Sequence, residues 1–426
     1  MFAKLRAAKV GPLPLLLYVA VAAVIYAAAC LGHLPADMIG GFAVIMVLGW
    51  ILGEIGMRMP VIRAIGGPAI LSLFVPSAMV CYGLLNRPAL DAITAVMKTD
   101  NFLYLYISCL VCGSILGMDR KILVQGFIRM AVPLFVGEIA TASVAIGVGL
   151  LFGFPPHRTF FYIVIPIIGG GIGEGILPYS LAMAEILAEP QAKFIPQLIP
   201  AAMLGNLVAI IMSGCMKRFG EKYPQYSGGG LLVKTDEAAL SSAPAGHDQP
   251  VEFPLMGAGL LLSCTLFIFG GLAGKWIGLP GPVVMIFSAA IIKCSRLLPE
   301  RIERGAYHIY RFIAANLTWP LLVGLGVLFV PWREVVDAVT PGYAVVCLSA
   351  VVAMWTAGFF VGKWLQMYPV EAAMVTGCHT GLGGTGDVAI LSAGGRIGLM
   401  PFAQAATRIG GALMIVLASL LLKFWR

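Results

Sequence analysis

The chain has 426 residues, 60% of them hydrophobic and 11% charged, with a mean hydropathy of +0.94. Soluble domains run at about 45–50% apolar and about 25% charged, so these values exclude an ordinary soluble enzyme or binding module and indicate an all-α polytopic membrane protein. The net charge of +8 does not imply nucleic acid, because the basic residues fall between apolar stretches, where they report orientation.

A spanning helix needs about 20 apolar residues. On that measure the first half contains helices over 12–31, 37–57, 64–85, 102–117 and 127–152, a glycine-broken segment over 159–188, and a helix over 196–216. The run at 12–31 is too long for the apolar region of a signal peptide and is expected to stay as a helix. Residues 217–252, with KRFGEKYPQYSGGG and SSAPAGHDQP, read as a flexible cytoplasmic linker. Helices over 253–273, 280–294, 310–331 and 342–361 follow, then a second broken segment, 368–396, and a last helix over 400–422. The expectation is about 11 spanning helices plus two re-entrant hairpins. Nine cysteines lie mostly in apolar runs, and Cys109-x-x-Cys112 has no charged neighbour, so both read as small buried hydrophobes.

The two halves repeat. Gly67-Pro68 answers Gly281-Pro282, Gly170-Gly171-x-Gly173 answers Gly383-Gly384-x-Gly386, and Pro196 with Leu204-Gly205 answers Pro401 with Ile409-Gly410. These ordered matches divide the chain into an extra N-terminal helix (1–36), a first repeat (37–216), the linker (217–252) and a second repeat (253–426). Five spans plus a hairpin per repeat invert the second repeat relative to the first. With a cytoplasmic N-terminus, 18 of the 28 Lys and Arg residues fall on the cytoplasmic side and 8 outside, leaving Arg396 and Arg408. The hairpins then enter from opposite sides and their tips meet near the midplane.

Hydrocarbon tolerates neither bare backbone nor unpaired charge, so 376–411 must be surrounded by protein or line a cavity. A GGxG tip exposes N–H groups at a helix N-terminus, which suits a carboxylate, while carbonyls on its other limb suit a small cation. Arg408, about eight residues into the last helix, is the sharpest residue. It reads either as a fork for a substrate carboxylate or as a structural partner of Asp387 or Glu174. Asp387 and Glu174 follow the two tips directly and read as cation or proton sites, or as helix caps. Glu138 reads as a buried protonatable group or a partner for a neighbouring helix, His379 as a hydrogen-bonded structural residue, and Arg396 as an anchor at the hairpin mouth. The five histidines show no H-E-x-x-H spacing and no nucleotide motif occurs, which argues against an enzyme or an ATP-driven pump. An anion channel is the alternative of a different class.

At Gly383–Leu391 and through LMPFAQAATRIGGA (399–412) the sequence resembles the 2-hydroxycarboxylate transporter family, bacterial sodium symporters for citrate and malate. The first GGxG, the repeat plan and MDRK (118–121) extend the resemblance over most of the chain. It implies a homodimer in the bacterial inner membrane, each protomer with a dimerisation domain and a transport domain that moves like an elevator. Carried over by position, Ile172, Gly173, Gly384, Thr385 and Arg408 would bind the carboxylate. Ile167, Gly169, His379, Gly381 and Asp387 would bind sodium as coupling ion, and Glu174 is a candidate proton site. Three departures stand out. The family's arginine before the second GGxG is Leu382 here, an asparagine of the first tip is Ile172, and a small neutral residue after it is Glu174. Fewer fixed donors and one more carboxylate imply an acid smaller or less charged than citrate, or one carrying its own amine.

Overall fold

A computed structural model describes residues 9–59, 67–117, 120–171, 175–190, 193–234, 250–277, 281–333 and 340–424. Apart from a minimal hairpin pairing Lys9–Val10 with Leu13–Pro14, its regular elements are helices. That is the all-α architecture expected where backbone groups must be satisfied within each segment. Contacts divide the chain into two compact units, Met1–Tyr106 with Ala315–Arg333, and Ile107–Ala314 with Glu334–Arg426.

The first unit contains α1 (Leu15–Cys30), α2 (Met38–Arg58), α3 (Gly67–Cys81), α4 (Arg87–Thr94), the start of α5 (Phe102–Gly117) and the end of α12 (Glu300–Phe329). α2 begins where the Asp37 carboxylate accepts the orphan N–H groups of Ile39 and Gly40. On its face Gly49 and Gly53 admit Pro320 and Trp319 so closely that an added Cβ would stand 2.5 Å and 2.1 Å from them. α4 is an element the hydropathy reading passed over as a loop. Asn86 caps it by accepting from Ala89 N, Pro88 sits in its first turn, and it runs on into a π turn over Ala95–Thr99. Its apolar positions alternate with charges, so no apolar window marks it.

The second unit carries the rest: α6 (Arg120–Leu151), α7 (Ile165–Ile168), α8 (Leu177–Leu187), α9 (Ile195–Lys222), α10 (Phe253–Ile277), α11 (Gly281–Cys294), α13 (Pro341–Trp364), α14 (Pro369–Cys378), α15 (Gly384–Gly394), α16 (Met400–Ala405) and α17 (Gly411–Phe424), with the remainders of α5 and α12. Several helices run past the apolar windows used to find them. α6 and α12 begin 7 and 10 residues early, at Arg120 and Glu300, because charged turns continue a helix beyond its apolar stretch. Among the described residues seven helices are long and apolar enough to cross a membrane. They become eight if Arg87–Thr99 and Phe102–Gly117, bent by 48°, count as one. The expected number was about 11; α1, α3 and α11 are apolar helices of 16, 15 and 14 residues among the described residues, below membrane-crossing length.

α14 and α15 are 10 and 11 residues, about 15 Å each and half the thickness of a hydrocarbon core. Glu371, in the first turn of α14, receives Arg396 Nε at 2.9 Å from just beyond α15, so the chain doubles back as a hairpin. The same carboxylate, fully buried, also accepts from Ser227 Oγ, Gly228 N and Gly230 N. Four donors leave it well satisfied away from water. Tyr368 N to Leu232 O, Lys234 N to Gln366 O and a Val233–Met367 bridge extend the contact. Residues 227–234, expected as flexible linker, are thus fastened to the hairpin base, while 235–249 lie outside the described residues. Arg396 pairs with Glu371 where an interfacial anchor was expected. Lys293, read from sequence as an orientation charge, is buried and donates to Glu303 at 2.7 Å and Leu116 O at 2.6 Å. Cys109 and Cys112 are buried free thiols.

Candidate functional site

Both broken segments and the last helix belong to the second unit, and their breaks converge there. In the first, α7 ends at Ile168, and a Cβ on Gly175 would stand 2.4 Å from Gly169 O. In the second, α14 unwinds through three successive i to i+3 bonds (His379 N, Thr380 N and Gly381 N to the carbonyls of Thr376, Gly377 and Cys378), and α15 starts at Gly384. The two tips touch. Gly171 has φ +91° and Gly383 φ +68°, left-handed values that glycine adopts without strain. A Cβ on Gly171 would meet Leu382 O at 2.4 Å, and one on Gly383 would meet Gly170 O at 2.4 Å. Glycine is therefore required on both sides of the contact, for conformation and for space.

Against these tips runs the last helix, loosened into a π turn over Ala406–Gly410. Such a bulge widens one turn and re-aims its side chains. Arg408, 5% exposed, donates through Nε to Gln404 Oε1 at 2.9 Å. Its Nη2 lies 3.3 Å from where a Gly384 Cβ would be, so the guanidinium abuts the second tip. Gln404 donates in turn through Nε2 to Asp387 Oδ2 at 2.7 Å, and Thr407 Oγ1 donates to Asp387 Oδ1 at 3.0 Å. Asp387 N donates to Gly383 O at 2.9 Å, setting its carboxylate in the first turn of α15, where the helix dipole favours negative charge. A buried acid, an amide and a buried guanidinium form one chain beside the point where the tips meet.

Of the residues expected for the carboxylate, Gly384 and Arg408 are brought together. Ile172 and Gly173 lie outside the described residues, as do Glu174 and the side chain of Thr385. Of those expected for sodium, Ile167 and the Thr380 carbonyl both pack where a Gly205 Cβ would be, at 3.1 Å, and Gly169 packs on Gly411. Gly381 lies beside Asn206 Oδ1, and Asp387 turns to Gln404 and Thr407. His379 is fully buried with Nε2 3.2 Å from Glu138 Oε1. That is ion-pair range with poor alignment, since neither ring nitrogen makes a hydrogen bond among the described residues.

Gln404, Thr407 and Asn206 escaped the sequence reading. Asn206, fully buried on α9, accepts from Leu382 N at 3.3 Å through Oδ1, while its Nδ2 has no partner among the described residues. Neutral polar residues do not stand out in apolar helices as charges do. The available signal was position: Asn206 directly follows the Leu204-Gly205 repeat match, and Gln404 and Thr407 lie one helical turn and one residue before Arg408. A separate cavity of about 270 Å³, lined by Phe154, Arg158, Tyr162, Gln197 and Tyr343 among others, includes none of the tip residues.

A model of the 2-hydroxycarboxylate transporter family matches residues 10–420. The Na(+)-malate symporter of Bacillus subtilis (strain 168) is 53% identical over 425 residues, which cover 100% of this chain and 95% of the relative. The citrate/malate-proton symporter of the same organism is 42% identical over 423 residues, covering 99% and 94%. The citrate/sodium symporter of Salmonella typhimurium is 32% identical over 398 residues, covering 91% and 88%. Matches of this length and identity embrace both hairpins and the last helix, and they make the chain a multi-pass membrane transporter rather than an enzyme. The convergent tips and the acid–amide–guanidinium chain therefore belong to a member of the 2-hydroxycarboxylate transporter family.

Proposed function

We propose that the protein is a secondary carrier of a small hydroxydicarboxylate of the malate type, driven by sodium. The observation that carries this reading is the contact between the two glycine tips beside the Arg408 guanidinium. Exposed N–H groups at a helix start and one planar cation form a grip for a single carboxylate. In this reading Arg408, Gly384 and Thr385 hold one carboxylate from the second hairpin, and Ile172 and Gly173 contribute from the first. Sodium is cargo, taken by the carbonyls of Ile167, Gly169, His379 and Gly381, with Asp387 supplying compensating charge. With Leu382 where an arginine would add a second cation, a dicarboxylate is favoured over citrate. The 53% identical relative named for malate alone supports that size.

The two re-entrant hairpins enter from opposite sides of the bacterial inner membrane, in inverted repeats with a cytoplasmic N-terminus. The transport domain moves as an elevator within a homodimer. Closure of the tips over the acid keeps the bound charge away from lipid while that domain crosses. The test is uptake of labelled L-malate and citrate into proteoliposomes under an inward sodium gradient or an inward proton gradient, each imposed alone. Saturable malate uptake driven by sodium, with citrate a weak competitor, is the expected result. Uptake driven by the proton gradient alone would replace sodium as the coupling ion, and ungated flux without accumulation would make the protein a channel.

A further inference from the structure

The structure assigns to Gln404 a role as the spacer that keeps the acid and the guanidinium of the site available to different ions, and so sets how strongly carboxylate and sodium binding depend on each other. This rests on the reading that Arg408 grips the carboxylate. Gln404 is fully buried, and its amide is fixed from both ends, with Oε1 accepting from Arg408 Nε at 2.9 Å and Nε2 donating to Asp387 Oδ2 at 2.7 Å. An amide is the group for this place, because it satisfies a donor on one side and an acceptor on the other while adding no charge. An apolar side chain would take one hydrogen bond from each neighbour and remove the polar group between them, and opposite charges at low dielectric attract strongly. The guanidinium would then turn to Asp387, its charge compensated internally and lost to an incoming acid.

The repeat supports treating the three polar residues as a set. At the spacing that matches Leu204-Gly205 with Ile409-Gly410, the counterparts of Gln404, Thr407 and Arg408 are Ile199, Ala202 and Met203. The helix fold is thus built in the first half with all three positions apolar, and the polar set belongs to the chemistry of the second. Gln404 and Arg408 lie four residues apart, and Gln404 and Thr407 three, which places them on one face. Thr407 Oγ1, its one proton shared with Ala403 O at 2.8 Å, lies 3.0 Å from the second oxygen of Asp387.

The experiment compares wild type with Gln404→Met and Gln404→Glu, both close in volume to glutamine, in purified full-length protein. L-malate and sodium chloride are titrated separately and together against thermal unfolding, since a ligand of the folded state raises its apparent stability by mass action. For Gln404→Glu the malate constant is expected to weaken by about tenfold or more while half-maximal sodium falls, because the new carboxylate engages Arg408 and adds a ligand for the cation. For Gln404→Met, malate affinity falls by about tenfold and becomes more sodium-dependent than in wild type, because a cation at Asp387 releases the guanidinium. A residue that only packs would weaken both ligands by the same factor or neither, and either outcome overturns the assignment. If a variant purifies poorly, the same two constants are read from sodium-driven malate uptake in cells, which needs only the folded fraction. An Arg408→Gln control separates the two ideas. If that variant still binds malate as wild type does, the reading of Arg408 fails; if it loses malate and the Gln404 variants show no split, the spacer alone fails.

Discussion

At each end of the second hairpin an arginine lies beside a fully buried acid, half-buried Arg396 at the base and Arg408 of the last helix at the tip, and the two ends are built differently. At the base, Arg396 donates directly to Glu371 at 2.9 Å, and three further donors fill the same carboxylate. At the tip, a carboxamide stands in the hydrogen-bonded chain between Asp387 and Arg408. A buried pair in direct, saturated contact acts as a fastening, because any exchange of partner strands a charge. A pair held through a neutral amide keeps charge that an arriving ion can use. The same two residue types thus give a clasp in one place and a receptor in the other, and the difference lies in what intervenes.

Breaking the clasp should have the largest effect. Glu371→Ala strands Arg396 and the Ser227–Gly230 donors, and about 3–5 kcal/mol of stability is expected to be lost, read as a lower unfolding temperature without ligand. The double variant Glu371→Ala with Arg396→Ala should recover part of that loss, since removing both partners removes the stranded charge. At the tip the prediction reverses. Arg408→Gln should leave unfolding without ligand nearly unchanged but weaken L-malate binding by about 100-fold, in line with the 2–5 kcal/mol typical of truncating one side of a buried charge pair. Equal losses of stability from the two variants would erase the contrast between the ends. Gly383→Ala introduces a Cβ at φ +68° that would meet Gly170 O at 2.4 Å. Strain of about 1–3 kcal/mol should appear as slowed transport with the protein still folded, measured as turnover against malate concentration. The smallest effect is expected of Leu382→Arg, a second cation beside the tip contact. Competition uptake should show citrate gaining on malate by about tenfold, or 1.4 kcal/mol, and no change in that ratio would remove Leu382 from the account of specificity.

The parts legible in the sequence are those whose physics is local. Runs of apolar residues marked most helices within a few positions, and the glycine clusters at 169–175 and 381–386 marked both breaks, because backbone can turn so sharply only without a Cβ. Arg408 and Asp387 drew attention because charge in an apolar helix has no cheap explanation. α4 was missed although Asn86 and Pro88 signal a helix start, since its apolar residues never fill a membrane-length window. Asn206 and Gln404 were missed because an amide in an apolar run is unremarkable until its partner is known, and Asn206 meets Leu382 from 176 residues away.

By itself, then, the sequence determined that this chain lives in a membrane, that it breaks at two glycine clusters, and that one arginine and one acid sit near the second break. Each of those follows from hydropathy, glycine and charge along a single stretch of chain. Only the tertiary structure decided that the tips touch, that Arg396 belongs to Glu371, and that Gln404 lies between Asp387 and Arg408. Hydrogen bonds reach about 3 Å, and which groups come that close is settled by packing between segments, which no local pattern encodes.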